Sequence, residues 1–224
     1  MSSWLPAPVR RYVERVLPAG GGACQVVRIE QVGEMVLRPG ARARRFTARE
    51  DLATGRVSFV WRATFPMLGP ISLRVTDSYQ EENGLLAVRL GRLPLQRNRG
   101  PEVSRGEAFR YLAELAWVPQ AIVANSALEW VEVDKNAVEV ATRVGADRIS
   151  VRLIFDEDGA IAQTVAERPR VEAENAITRW VGEYRDYRDF GGVVVPTRGE
   201  VRWELASGPF TYWRASITSF ELCK

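Results

Sequence analysis

The sequence predicts a mainly β (α+β) protein: a single curved antiparallel sheet, or half-open barrel, wrapped around a central helix, with a further helix at the N-terminus. Three observations carry this reading. Apolar and polar residues alternate over residues 25–93 and again over 127–222, and between them, over 104–124, the period becomes helical. A sheet of about a dozen strands is too long to stay open and flat. A helix with two apolar faces is the natural object for it to curl around.

In chain order, residues 8–18 form the first helix. Val9, Tyr12, Val13, Val16 and Leu17 recur at helical spacing, with Arg10, Arg11 and Arg15 on the rest of the wheel. Pro8 suits its first turn and Gly20-Gly21-Gly22 stops it. Segments 26–37, 42–50, 56–65, 71–79 and 84–91 then read as strands. In the third, Val57, Phe59, Trp61, Ala63 and Phe65 share a face, and Asn83-Gly84 is the strongest hairpin signal in the chain. Residues 95–103 read as a loop, the only candidate linker, so 1–224 is taken as one domain.

The central helix opens on Ser104-Arg105-Gly106-Glu107, which has the form of a capping box. Phe109, Leu112, Ala113 and Ala116 line one face and Tyr111, Leu115, Val118 and Ile122 another. The one polar stripe is Glu107, Arg110, Glu114 and Trp117, and Pro119 should kink or end the helix. Seven further strands follow, at 128–134, 137–144, 148–155, 160–168, 178–187, 193–205 and 210–222, with hairpin turns at Asp158-Gly159 and Gly191-Gly192.

Composition excludes several chemistries. The 224 residues contain no histidine, which removes Ser-His-Asp and Cys-His nucleophiles, zincin motifs and histidine-ligated haem. Net charge is +3, too mild for an obligate nucleic-acid binder, and all but two of the 31 cationic residues are arginine. The basic stretch Arg38, Arg42, Arg44, Arg45 and Arg49 has only Phe46 interleaved and reads as a solvated strand face. Cys24 and Cys223 form no CxxC and read as lone thiols. The N-terminal residues lack the pattern of a secretory signal, and no apolar run reaches the length of a membrane span. A cytoplasmic protein without stable membrane insertion is expected, and the sequence leaves a homo-oligomer open.

Trp61, Trp117, Trp130, Trp180, Trp203 and Trp213, with Tyr111, are many large aromatics for one core. They could simply fill a curved sheet, or they could line a cup for a bulky apolar ligand. Asp77 and Tyr79 share a strand face with Leu73 and Val75, and Arg74 lies on the same strand. An aspartate on an apolar face is costly unless paired, and desolvation would raise its pKa into the range of a general acid or base. An ion pair with a nearby arginine is the competing account. Glu114 stands four residues after Arg110, where an i, i+4 pair is natural; Glu107 is explained by the capping box. Tyr184, Tyr187, Tyr212 and Arg214 could stabilise an oxyanion in place of histidine. Asp156-Glu157-Asp158-Gly159 lacks the rest of a calcium loop and reads as a turn.

The motifs LPAPVRRY (5–12), FVWRA (59–63), VTDSY (75–79), RGEAFRYLAELAWVP (105–119), VPTRGEVRWEL (195–205) and GPFTYWR (208–214) run in order through the chain. On them the sequence resembles an uncharacterised bacterial domain-of-unknown-function family common in actinobacteria. The resemblance implies a fold similar to the lipoprotein-carrier half-barrel. A violacein-pathway enzyme that works without a cofactor has a similar scaffold, a likeness of fold rather than of function. The expectation is a protein that binds a mainly apolar small molecule without a cofactor or metal. It is read first as a cyclase, isomerase or lyase with Asp77 and Glu114 as acid/base and Tyr79, Arg110 and Tyr184 as polarising groups. The alternative is a non-catalytic binder or carrier. Ligand contacts are expected from the six tryptophans, Tyr111, Arg74 and Arg214.

Overall fold

Two meanders, one from each half of the chain, meet along their first and last strands. The computed structural model describes residues 4–19, 23–67, 69–170 and 176–223. The first meander comprises β1 (Val26–Met35), β2 (Arg44–Ala53), β3 (Phe59–Pro66), β4 (Ser72–Gln80), β5 (Asn83–Leu90) and β6 (Leu93–Arg99). The second comprises β7 (Glu129–Asp134), β8 (Ala137–Val144), β9 (Asp147–Phe155), β10 (Ile161–Arg170), β11 (Ala176–Phe190), β12 (Val193–Leu205) and β13 (Gly208–Cys223). β1 pairs antiparallel with β13, Val26 opposite Cys223, giving one antiparallel sheet of thirteen strands that is not closed. Its edges are β6 and β7.

This topology places the central helix. Between β6 and β7 the chain must travel from one edge of the sheet to the other. That stretch holds α2 (Pro101–Ala113), a 3-10 turn (Glu114–Ala116) and α3 (Pro119–Ala124). α2 packs on β4, β5 and β6 from one meander and on β8, β9 and β10 from the other, so the sheet bends around it. The helix ends before Pro119, α2 closing at Ala113 and its 3-10 continuation at Ala116, and the proline ring suits the first turn of α3. α1 (Ala7–Val16) covers one end of the cup: Val9, Tyr12 and Val16 are fully buried, and the Tyr12 hydroxyl donates to the Ala116 carbonyl at 3.3 Å. The glycines read as its stop, Gly20 to Gly22, lie outside the described residues.

Three local readings are corrected. Residues 95–103 are not a loop: β6 occupies Leu93–Arg99, and all seven of its residues are exposed. It has no apolar alternation because it buries no face. The capping box is not one either, since the helix begins a turn earlier, at Pro101 after Gly100. Ser104 lies inside it, and its Oγ accepts the Gly84 N–H at 2.9 Å. Finally, the β4–β5 turn is made by Glu81 and Glu82, both at positive φ, rather than by Asn83-Gly84. Asn83 Nδ2 holds that turn by donating to the Glu81 carbonyl at 2.7 Å. Gly84 is glycine for a different reason: a Cβ there would lie 2.6 Å from the Ser104 backbone nitrogen.

Candidate functional site

Inward-facing residues of both meanders and the polar stripe of α2 enclose a cavity of about 570 Å³. One wall comes from β3 to β5, with Trp61, Phe65, Leu73, Val75, Leu86 and Val88; the facing wall comes from β11 to β13, with Trp180, Val201, Trp203, Phe210, Tyr212 and Trp213. Period two explains the arrangement, since Trp180 lies opposite Trp203 and Val201 opposite Trp213 on neighbouring strands. Trp117 joins them from the helical segment. Its Nε1 donates to the Pro196 carbonyl at 3.0 Å, and its six-membered ring covers Gly199, where a Cβ would sit 2.7 Å from Cζ2.

Asp77, Glu107, Arg110 and Glu114 line the same cavity. The Arg110 guanidinium donates to Glu50, Asp77 and Glu114, each at 2.8 Å, and lies 4.8 and 5.1 Å from the ring centres of Phe59 and Trp61. Glu50 is fully buried behind it and accepts from Gln31 Nε2 at 3.2 Å; Gln31 in turn accepts from Trp61 Nε1 at 2.8 Å. The i, i+4 pair of Arg110 and Glu114 read from the sequence is therefore present, and so is the ion pair between Asp77 and an arginine.

Four carboxyl groups around one arginine cannot all be ionised away from water. Burial and the neighbouring Glu114 push Glu50 well above the usual carboxylate range, against the opposing pull of Arg110. Burial and Asp77 do the same to Glu107. Burial also raises Glu114, although Arg110 draws it down. Asp77 Oδ1 and Glu114 Oε2 are buried and meet no N–H or hydroxyl donor. A proton kept on Glu107 beside Asp77, and one kept on Glu50 beside Glu114, lessens the repulsion between these neighbouring acids. Arg110 thus bridges acids from β2, β4 and its own helical segment. Among the described residues, no three acids converge as metal ligands would.

A second cation, Arg168, lines the cavity on the side of β11 and β12, with its guanidinium carbon 5.4, 5.0 and 5.8 Å from the rings of Phe109, Trp180 and Trp203. Burial lowers its pKa. The Tyr212 hydroxyl accepts from Trp180 Nε1 at 3.0 Å, and burial raises its phenol pKa against the pull of Arg168.

Of the residues singled out in the sequence, Asp77, Arg110, Glu114, Tyr184, Trp61, Trp117, Trp180, Trp203 and Trp213 are brought together around this cavity. Tyr187 is not among them, its hydroxyl donating to the Ile161 carbonyl at 2.8 Å, and five others also lie elsewhere. Tyr79 is buried one pair further along β4, opposite Phe59 and beyond the lining. Tyr111 points to the other side of α2, where its hydroxyl donates to the Ala53 carbonyl at 2.8 Å. Trp130, on the edge strand β7, packs against the core and does not reach the cavity. Arg74 is exposed because it alternates with the inward Leu73 and Val75. Arg214 lies on the outer face, paired with Glu200 at 2.6 Å, and lines a separate open groove of about 650 Å³ with Glu34, Arg45 and Arg198. Tyr184 lines the cavity, yet its hydroxyl donates to the Ala113 carbonyl at 2.8 Å, satisfying a helix end rather than facing a ligand. Glu50, Gln31 and Arg168 were missed, and Glu107 was set aside for a capping role it does not have. The signal existed: Glu50 follows Phe46 and Ala48 at period two, and Arg168 follows Thr164 and Ala166.

An open antiparallel sheet folded over a helix, with an aromatic cup between them, defines a half-barrel protein of the kind found in two solved structures. A LolA superfamily protein of Nitrosomonas europaea is similar over 97% of this chain and 93% of its own, with a TM-score of 0.53 and 12% identity. A DUF1329 family protein of Desulfovibrio piger is similar over 96% and 92%, with a TM-score of 0.51 and 10% identity. At those identities the likeness is one of fold. By sequence, residues 1–215 match a family of unknown function, DUF6544, and the chain belongs to it. No curated protein matches the sequence.

Proposed function

We propose that this protein binds a bulky, mainly apolar small molecule in the tryptophan-walled cup. One observation carries the reading: a cavity of about 570 Å³ remains between the two walls although five tryptophans and the helix already crowd around it. That volume falls in the range of small-molecule sites, roughly 300–1,000 Å³. Its composition does too, being apolar and aromatic with a few polar groups concentrated on one side. The helix it rests on reaches both meanders, so the pocket is largely formed before a ligand arrives.

Titration with a neutral apolar fluorophore, N-phenyl-1-naphthylamine, tests the reading. One saturable site is expected, and Val88→Trp, which adds an indole inside the cavity, should weaken it on the order of tenfold or more. Unchanged binding in that variant would place the probe elsewhere.

A second reading, acid/base catalysis on a reactive metabolite, is favoured by Glu107 and Glu114, two cavity-lining acids held above the usual carboxylate range by burial. The two readings part on the fate of the ligand. A binder returns it unchanged after incubation, whereas turnover yields a new compound and is lost in Glu107→Gln.

A further inference from the structure

The cup has two charged regions, and they differ in how their charges are met. The Arg110 guanidinium is fully engaged, with Glu50, Asp77 and Glu114 each accepting from it at 2.8 Å. Arg168 is different. It lines the cavity, yet among the described residues it forms no hydrogen bond and no ion pair, and its Nε is buried without an acceptor. Aromatic rings hold it on its faces, Trp180 at 5.0 Å and Phe109 at 5.4 Å. Such stacking fixes the plane of a guanidinium and leaves its N–H edges for an acceptor. Desolvating those donors without an acceptor is costly, which an incoming anion would offset. Close by, the Tyr212 oxygen already accepts from Trp180, so its own proton is left to donate.

We infer that Arg168 anchors a carboxylate on the apolar ligand of the cup, with the Tyr212 hydroxyl as a second donor. The inference rests on the cup reading above and adds the chemical class of the ligand: a molecule with an apolar body and one anionic end. A planar, singly charged carboxylate matches the fork of one guanidinium. A cationic end would have to compete with Arg110 for Asp77 and Glu114, both of which already accept from it at 2.8 Å.

The test compares three ligands of one chain length, dodecanoate, dodecanol and dodecylammonium, by quenching of tryptophan fluorescence. In the unmodified protein dodecanoate should bind on the order of tenfold to a hundredfold more tightly than dodecanol, the range for a charge-assisted hydrogen bond. Arg168→Met, which keeps an apolar stem among the rings, should abolish that advantage, bringing dodecanoate to the affinity of dodecanol. Equal affinity for dodecanoate and dodecanol in the unmodified protein overturns the inference without needing the variant, and so does a preference for dodecylammonium. Equal losses for both ligands in Arg168→Met would make Arg168 a packing residue. If none of the three binds, the cup reading itself fails.

Discussion

Arg110 shows how a single side chain sets the chemistry of the interior. It neutralises only part of the acid around it, so Glu50 and Glu107 retain protons in the fold that they lose near pH 4.5 when the chain unfolds. Below that pH both states are protonated and the stabilisation from these groups is fully present. As pH rises through their elevated native values, the fold must release protons it holds more tightly than the unfolded chain does, and stability declines. Glu183 acts in the opposite sense: burial pushes it up, but Arg202 and Arg185 outweigh that and hold it below the usual range. Its contribution is present above the unfolded pKa and lost as pH falls, and solvent screening keeps it small. The thermal midpoint should therefore fall as pH rises from the ordinary carboxylate range through the elevated native values of these groups. Glu107→Gln, which keeps the shape and removes the titration, should flatten the decline and be the more stable form at the alkaline end. An unchanged slope in that variant would show that Glu107 does not hold its proton.

Among the elements, contact between β5 and α2 is the least forgiving. Gly84 lets the Ser104 backbone approach, and a Cβ would meet its nitrogen, Cα and the preceding carbonyl carbon at 2.6–2.7 Å. None of these atoms belongs to a flexible side chain. Gly84→Ala should cost about 1–3 kcal/mol, measured by chemical denaturation, the usual range for overpacking; a neutral substitution would mean that α2 slides freely on β5. The same contact explains a misreading. Asn83-Gly84 has the composition of a hairpin turn, but its glycine answers a tertiary contact with Ser104, 20 residues further along the chain, and only the fold reveals it. Strands with one buried face were legible: β8 is found at the predicted Ala137–Val144 and β12 at Val193–Leu205. β6 was not, since an edge strand with both faces in water has nothing to alternate. Pro94, Arg97 and Arg99 there also discourage pairing with another chain.

At the scale of the molecule, the order of strands decides where function can sit. Both meanders grow outward from the β1–β13 seam, which leaves the crossing segment lying in the concavity and brings α2 against strands of both halves. The inward direction of Asp77 was legible from period two; its convergence with Glu50 and Arg110 was not, because those three residues come from β4, β2 and α2 and meet only through tertiary packing. Arg74 and Arg214 lie outside the cup for the complementary reason, that alternation turns them outward. The central claim is that the cup holds a small molecule. Native mass spectrometry of the protein purified from its own host, followed by analysis of the denatured sample, tests it most directly. The account predicts a stoichiometric adduct that is released as one apolar compound and is missing from Val88→Trp. An adduct retained by Val88→Trp at the same occupancy would contradict it.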